Sequence, residues 1–246
     1  MSVSGARLGC CAALLLAAAR AAAAPAPALP TVAVLYFDYQ GPDEQLAVLR
    51  KGLAQMISAD LVGLEQVTVV ERDRLQEVLA ELDLQHTSRI DPSTAVRVGK
   101  LLGARYLVFG SYFQLGAGLS ASSRLVETET GRVLYALNAS GPPGDFLAVE
   151  QKLSSGLAGF LATRLPPLPP APAGAAGAPA APAVQKARAR KPPRKLDTAT
   201  ALTYSQALDA KDRNDKATAV AKLQDVLARE SDFPLAADDL ARLSTN

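Results

Sequence analysis

Apolar residues fill both alternating sets of positions between Thr31 and Tyr39, with Val32, Val34 and Tyr36 on one side and Ala33, Leu35 and Phe37 on the other. A strand apolar on both faces belongs in the middle of a sheet covered from each side, so this one is predicted to be central. Leu46, Leu49, Leu53, Ile57 and Leu61 then recur at helical spacing and predict an amphipathic helix ending near Gly63. Val67 to Val70 predicts a second strand. Leu75, Val78, Leu79 and Leu82 fall at i, i+3, i+4 and i+7, which makes the segment opening at Glu71 a second amphipathic helix.

Asp91 before Pro92 is the pattern of an N-cap with proline at the first helical position, and Gly103 closes the helix carrying Val98, Leu101 and Leu102. Two helices therefore separate the second strand from a third, Arg105 to Phe113. Leu119, Ala121, Ser123 and Leu125 alternate along a fourth strand, and the Thr130-Gly131 turn leads into a fifth, Arg132 to Ala139. Phe146, Val149, Leu153, Leu157, Phe160 and Leu161 mark a long closing helix. The pattern predicts an α/β unit, a mixed five-stranded sheet with helices on its faces.

Three stretches of this unit carry a family likeness. They are an apolar first strand ending in Phe37, a second strand running into Glu71 and Arg72, and a third strand built on Leu102, Gly103, Ala104, Tyr106, Gly110 and Ser111. With Gly131 at the turn before the last strand, residues 30–165 resemble the domain shared by TolB amino-terminal-like proteins and CsgG, the curli production assembly and transport component. The resemblance implies an envelope protein that binds rather than catalyses, with these motif residues in structural roles. Curli pores insert long amphipathic hairpins from this sheet, and a membrane-spanning strand needs about 9 to 11 residues. Here only Gln114 to Gly118 lies between the third and fourth strands, so the chain resembles the soluble branch and is expected to form no channel.

The flanks divide the rest. Arg7, the apolar run Leu8 to Ala19 and the Ala-rich stretch before Pro25 read as a secretory signal peptide over residues 1–24, and Arg20 cuts the run short of the roughly 18 apolar residues a membrane span needs. Cys10 lacks the apolar run that precedes a lipidated cysteine, so no lipid anchor is expected. Residues 166–196 are Pro, Ala and Gly followed by cations, too poor in large apolar side chains to offset the entropy of ordering, and predict a disordered linker. In residues 197–246, Ala207, Asn214-Asp215, Ala219, Leu223 and Val226 resemble one tetratricopeptide repeat. A single repeat cannot bury a solenoid core by itself, so this unit is expected to dock on a partner, a second copy or the first domain.

Chemistry is sparse. Cys10 and Cys11 both lie in the leader, so a processed chain has no thiol for a disulfide, metal or nucleophile. His86 is the one histidine, placed in a loop, and no metal or cofactor site is expected. Glu71 and Arg72 are an adjacent acid and base, but they open a helix, where Glu meets the positive end of the dipole and Arg72 pairs with Asp43, Glu44 or another carboxylate. No P-loop, dinucleotide or nucleophile-elbow spacing occurs, so no catalytic residue is assigned.

Charge is segregated. Lys186, Arg188, Arg190, Lys191, Arg194 and Lys195 form an acid-free run beside the Pro/Ala stretch. Setting these and the leader arginines aside leaves the rest of the chain with an excess of about six acids. The run reads as a solvated tether or as a contact for an anionic membrane surface or another envelope polyanion. It lacks the aromatics that nucleic-acid stacking favours. Together these readings predict a periplasmic or envelope scaffold, accessory to assembly, secretion or transport, whose partners are envelope proteins or further copies of itself. The alternative is a regulator of peptidoglycan synthesis that binds a penicillin-binding protein.

Overall fold

The computed structural model describes residues 29–84, 92–116, 118–142, 144–165 and 196–245. The leader, His86, Asp91 and the Pro/Ala segment with its six cations lie outside the described residues.

Strand β1 (Thr31–Val34) runs parallel to its neighbours on both sides. A later strand, Thr68–Val69, places Thr68 opposite Thr31, and another, Tyr106–Leu115, places Val108 opposite Val34. The predicted first strand is broken. After Val34 the chain leaves the ladder and re-enters as β2 (Asp38–Tyr39), which pairs with the far half of the Tyr106–Leu115 strand. Numbering the later strands β3 (Thr68–Val69), β4 (Tyr106–Leu115), β5 (Gly118–Glu127) and β6 (Val133–Gly141), the order is β3-β1-β4-β5-β6 with β2 beside β4. The sheet thus has six strands where the pattern predicts five. The pairs β4–β5 and β5–β6 are antiparallel, and a bulge at Leu125/Val126 interrupts the second of them. Leu35, Tyr36 and Phe37, in the break between β1 and β2, are all buried, so the break keeps the apolar run inside while freeing it from the ladder.

The expected helix after β2 arrives as two pieces, α1 (Glu44–Ala47) and α2 (Leu49–Leu61). Asp43 caps the first, its carboxylate accepting from the Gln45 N–H at 3.0 Å. The helices α3 (Arg72–Glu81), α4 (Pro92–Leu102) and α5 (Phe146–Arg164) follow the expected stripes, except that Leu101 of α4 is exposed. Tyr112 donates to the Leu46 carbonyl of α1 at 2.6 Å, Gly156 of α5 lies against Leu137, and α2 packs on β1 and α5, so α1, α2 and α5 share one face of the sheet. Leu107, pointing the other way from β4, meets Gly99 of α4.

The carboxy-terminal unit comprises α6 (Thr198–Asp212), α7 (Lys216–Arg229) and α8 (Pro234–Thr245). Asp197 and Asp215 cap the first two by accepting from Thr200 N–H (2.6 Å) and Thr218 N–H (3.1 Å), and Asn214 takes a left-handed turn at φ 59°. The residues singled out for hairpin packing, Ala207, Ala219, Leu223 and Val226, are all buried. The linker composition suggests separate units. Yet α6 lies along α2, and Leu196, Ala201, Tyr204 and Leu208 join the same apolar cluster as Leu49 and Leu53. No helix among the described residues is long and apolar enough to cross a membrane.

Candidate functional site

Polar chemistry concentrates where α6 meets the α/β domain. Arg72 sits at the first position of α3, and Glu71 occupies the N-cap place without a side-chain cap bond. The Arg72 side chain is 7% exposed and donates from Nη1 to Asp212 Oδ1 of α6 at 2.6 Å. Lys51 of α2, 9% exposed, donates through Nζ to Asp212 Oδ2 and Asp209 Oδ1, each at 2.7 Å. One buried carboxylate, Asp212, therefore bridges two buried cations on the domain.

Tyr36, placed here by the break after β1, floors the cluster. Its hydroxyl donates to Gln76 Oε1 at 2.7 Å, and Arg72 reaches it at 3.4 Å. The Arg50 guanidinium and Lys51 ammonium lie 5.5 and 5.8 Å from its ring centroid, within the range of cation–π attraction. Burial pushes the Tyr36 phenol up to about 12 despite the nearby Arg72 charge, so it stays protonated. Asp209 is held below the ordinary carboxylate range: burial acts to raise it, but the Lys51 hydrogen bond and charge, with Arg213, outweigh that effect. Farther out, Lys211 spans Asp73 (3.3 Å) and Asp239 (3.5 Å), and Tyr204 donates to Asp239 at 2.9 Å. Gly52 makes the close approach feasible, since a Cβ there would stand 2.1 Å from Ser205 Oγ of α6.

A second polar pair lies between α2 and α5. Ser154 donates to Asp60 Oδ2 at 2.7 Å, and Glu150 stands beside them, 1% exposed, with Oε1 lacking a hydrogen-bond partner. Burial, followed by the neighbouring Asp60 charge, raises the Glu150 pKa well above the usual carboxylate value, and partial desolvation of its carboxyl raises Asp60, although that residue is exposed at the surface.

The motif residues hold the fold. Phe37 is fully buried against Gly110, where a Cβ would meet the Ser122 carbonyl oxygen at 1.9 Å and Phe37 at 2.8 Å. Ser111 and Ser122 bond across β4 and β5 at 3.1 Å, and Arg105 donates to the Tyr106 hydroxyl at 3.1 Å. Gly103 and Gly131 adopt left-handed φ of 64° and 69° at the end of α4 and in the β5–β6 turn. Of the residues singled out in the sequence, only Arg72 enters the joint. Lys186, Arg188, Arg190, Lys191, Arg194 and Lys195 lie outside the described residues. The sequence reading gives Tyr36 only as an apolar strand position and misses Lys51, Asp209 and Asp212. The one available signal is the spacing of the two aspartates at i and i+3 on a helix whose small residues form no apolar stripe.

Among the described residues no group of three or more His, Cys, Asp or Glu is arranged to hold a metal ion. What the joint can do is bind: it matches buried cations and an aromatic ring with a helix bearing two carboxylates.

The sheet order, its flanking helices and the buried motif residues define an α/β domain of the kind expected from the sequence. Residues 21–124 match the family model described as curli production assembly/transport component CsgG, so this stretch of the chain is similar to a CsgG domain. Lipoprotein GNA1162 from Neisseria meningitidis is similar in structure at 17% identity and a TM-score of 0.41, covering 55% of this chain and 99% of that one. The LpoB C-terminal domain from Salmonella enterica is similar at 16% identity and a TM-score of 0.38, over 48% and 85% of the two chains. TolB from Acinetobacter baumannii is similar at 15% identity and a TM-score of 0.36, over 57% of this chain and 30% of that one. No curated protein sequence matches the chain.

Proposed function

We infer that the chain is a non-catalytic binding or scaffold protein of the bacterial cell envelope, accessory to assembly, secretion or transport. The observation that carries this reading is the CsgG match over residues 21–124, which takes in β1 to β4, most of β5 and helices α1 to α4. The leader read at residues 1–24 supports export to the periplasm. The described polar clusters support binding rather than catalysis, since the ionisable groups of the joint are buried in ion pairs and Glu150 is buried beside Asp60 and Ser154 instead of converging on an open cleft. The carboxy-terminal helices, which resemble a tetratricopeptide unit, supply a second binding surface. The cationic run from Lys186 to Lys195 supplies a contact for anionic headgroups or another envelope polyanion.

In vivo photocrosslinking from exposed positions of α7 and α8 tests the reading. Capture of envelope assembly or secretion proteins supports it. Recovery of a murein synthase whose activity the purified protein stimulates replaces it with the peptidoglycan-regulator reading, and an intact Met1 in a cytoplasmic fraction removes the envelope altogether.

A further inference from the structure

The cationic half of the joint and its anionic partner come from different parts of the chain. Tyr36, Arg50, Lys51, Gly52 and Arg72 all fall inside the stretch that matches the CsgG family, residues 21–124, whereas Asp209 and Asp212 lie outside it on α6. The segment between the two halves is long for the gap it crosses. Asp197, at the start of α6, pairs with Asp145, at the start of α5, while the linker leaves from the far end of α5. A helix of 19 residues spans about 28 Å, a distance that about nine extended residues would cover. The thirty residues from 166 to 195 exceed that number, so chain length alone does not fix where α6 lies.

We propose that the surface formed by Tyr36, Arg50, Lys51, Gly52 and Arg72 is a docking site for an acidic helix, that α6 is its resident occupant, and that a partner helix with the same chemistry displaces it. The resident defines that chemistry. The helix carries two carboxylates at i and i+3, which reach Lys51 and Arg72. One turn earlier it carries small residues where Ser205 and the Ala201 carbonyl pass over Gly52. A helix with a bulky side chain at the position of Ser205 cannot approach closely enough to form the ion pairs. One without a carboxylate at the position of Asp212 leaves the buried Arg72 guanidinium unmatched, which is heavily penalised. Selectivity thus follows from charge and size at three positions of one helical face. Because α6 belongs to the same chain as its site, displacement requires either a tighter partner helix or a weakened resident. The proposal does not depend on the envelope reading, since it concerns only surfaces described in this chain.

The test uses the full chain and a fluorescent peptide spanning residues 196–213 as probe, with binding read by anisotropy. The Asp209→Asn/Asp212→Asn chain, whose resident helix is weakened, should bind the wild-type peptide at least tenfold more tightly than the wild-type chain does. Adding Arg72→Met to that chain should abolish the gain, and a peptide carrying the same two Asn substitutions should not bind. As a second measurement, the wild-type chain with a protease site placed among residues 171–185 is cut and diluted. Release of the 196–246 fragment, faster in the presence of excess peptide, supports exchange. A fragment that stays associated at all dilutions and with excess peptide, together with no peptide binding by the Asn variant, overturns the proposal and makes α6 a permanent part of the fold. Binding of the Asn-substituted peptide as strongly as the wild-type one also overturns it, because recognition would then not run through the carboxylates.

Discussion

Replacing Asp212 by alanine deletes the carboxylate that serves both Lys51 and Arg72 while leaving those cations 9% and 7% exposed. The two are stranded unequally. Lys51 keeps Asp209 at 2.7 Å, whereas Arg72 keeps the neutral Tyr36 hydroxyl at 3.4 Å and, as a counter-charge, Asp73 at 3.7 Å and 55% exposed, too distant and too well hydrated to compensate. Removing one partner of a buried ion pair costs about 3–5 kcal/mol, because a desolvated charge is left uncompensated. For a chain of this size each kcal/mol lowers the melting temperature by about 2–4 °C, so Asp212→Ala should melt roughly 6–20 °C below wild type. The loss should begin at the joint, so hydrogen exchange should accelerate first along α6 and the facing side of α2. Scanning calorimetry with hydrogen exchange measures both, and Glu77→Ala, which opens an exposed Arg74–Glu77 pair, serves as the control with a shift within about 0.5 kcal/mol. The double variant Asp212→Ala/Arg72→Met should recover part of the loss, since no buried charge remains on α3. A single-variant shift no larger than that of Glu77→Ala would show that the joint is solvated and the reasoning mistaken.

The Asp60–Glu150 pair makes stability depend on pH with a definite sign. Both pKa values are raised in the folded state, so their contribution is fully present below the unfolded values near 4 and is lost as pH rises through the folded values. Glu150→Gln should therefore lose stability relative to wild type in mild acid but match or exceed it under alkaline conditions; parallel melting curves across that range would refute the assignment. Gly110→Ala should be severely destabilising, about 3 kcal/mol or more, because the new methyl would meet both the Ser122 carbonyl oxygen and Phe37, and denaturant titration measures it. Gly52→Ala should loosen α6 selectively, raising proteolysis at residues 196–213 while the sheet amides keep their exchange protection.

The sheet, its helices and the closing α5 were legible because each leaves a local periodicity. The break at Leu35 to Phe37 was not, because a continuous apolar run looks the same whether it stays in one ladder or steps into another. The pattern marked Phe37 and Gly110 as motif positions, but not that they touch; that contact depends on the parallel placement of β2 beside β4. Arg72 illustrates the general limit. A carboxylate partner was expected and nearby acids were the visible candidates, yet the partner is Asp212, 140 residues away in sequence. Asp209 and Asp212 look like ordinary surface charges until the position of α6 is known. That position leaves no stripe to read, because α6 is buried on nearly all sides through Thr, Ala and Ser as well as Tyr204 and Leu208.

The form of the joint suggests what its charges contribute. A buried ion pair is seldom more stable than apolar residues of the same volume, so Lys51, Arg72 and the two aspartates are poorly explained as a source of net stability. An apolar stripe of Leu and Met on α6 would hold as well, but ridges and grooves of similar side chains tolerate a shift of one turn along α2 with little change in contact. Charges do not tolerate it. A shift of one turn moves Asp212 about 5.4 Å, which breaks contacts of 2.6 and 2.7 Å with two desolvated cations at once. The cluster therefore fixes the register of α6 on α2, and with it the direction in which α7 and α8 project from the domain. This gives the double variant a second readout. Asp212→Ala/Arg72→Met should regain stability without regaining register, so chemical crosslinks between α6 and α2 that are confined to one spacing in wild type should spread over two. If they stay at one spacing, Gly52 and Ser205 alone set the register and the charges have some other role.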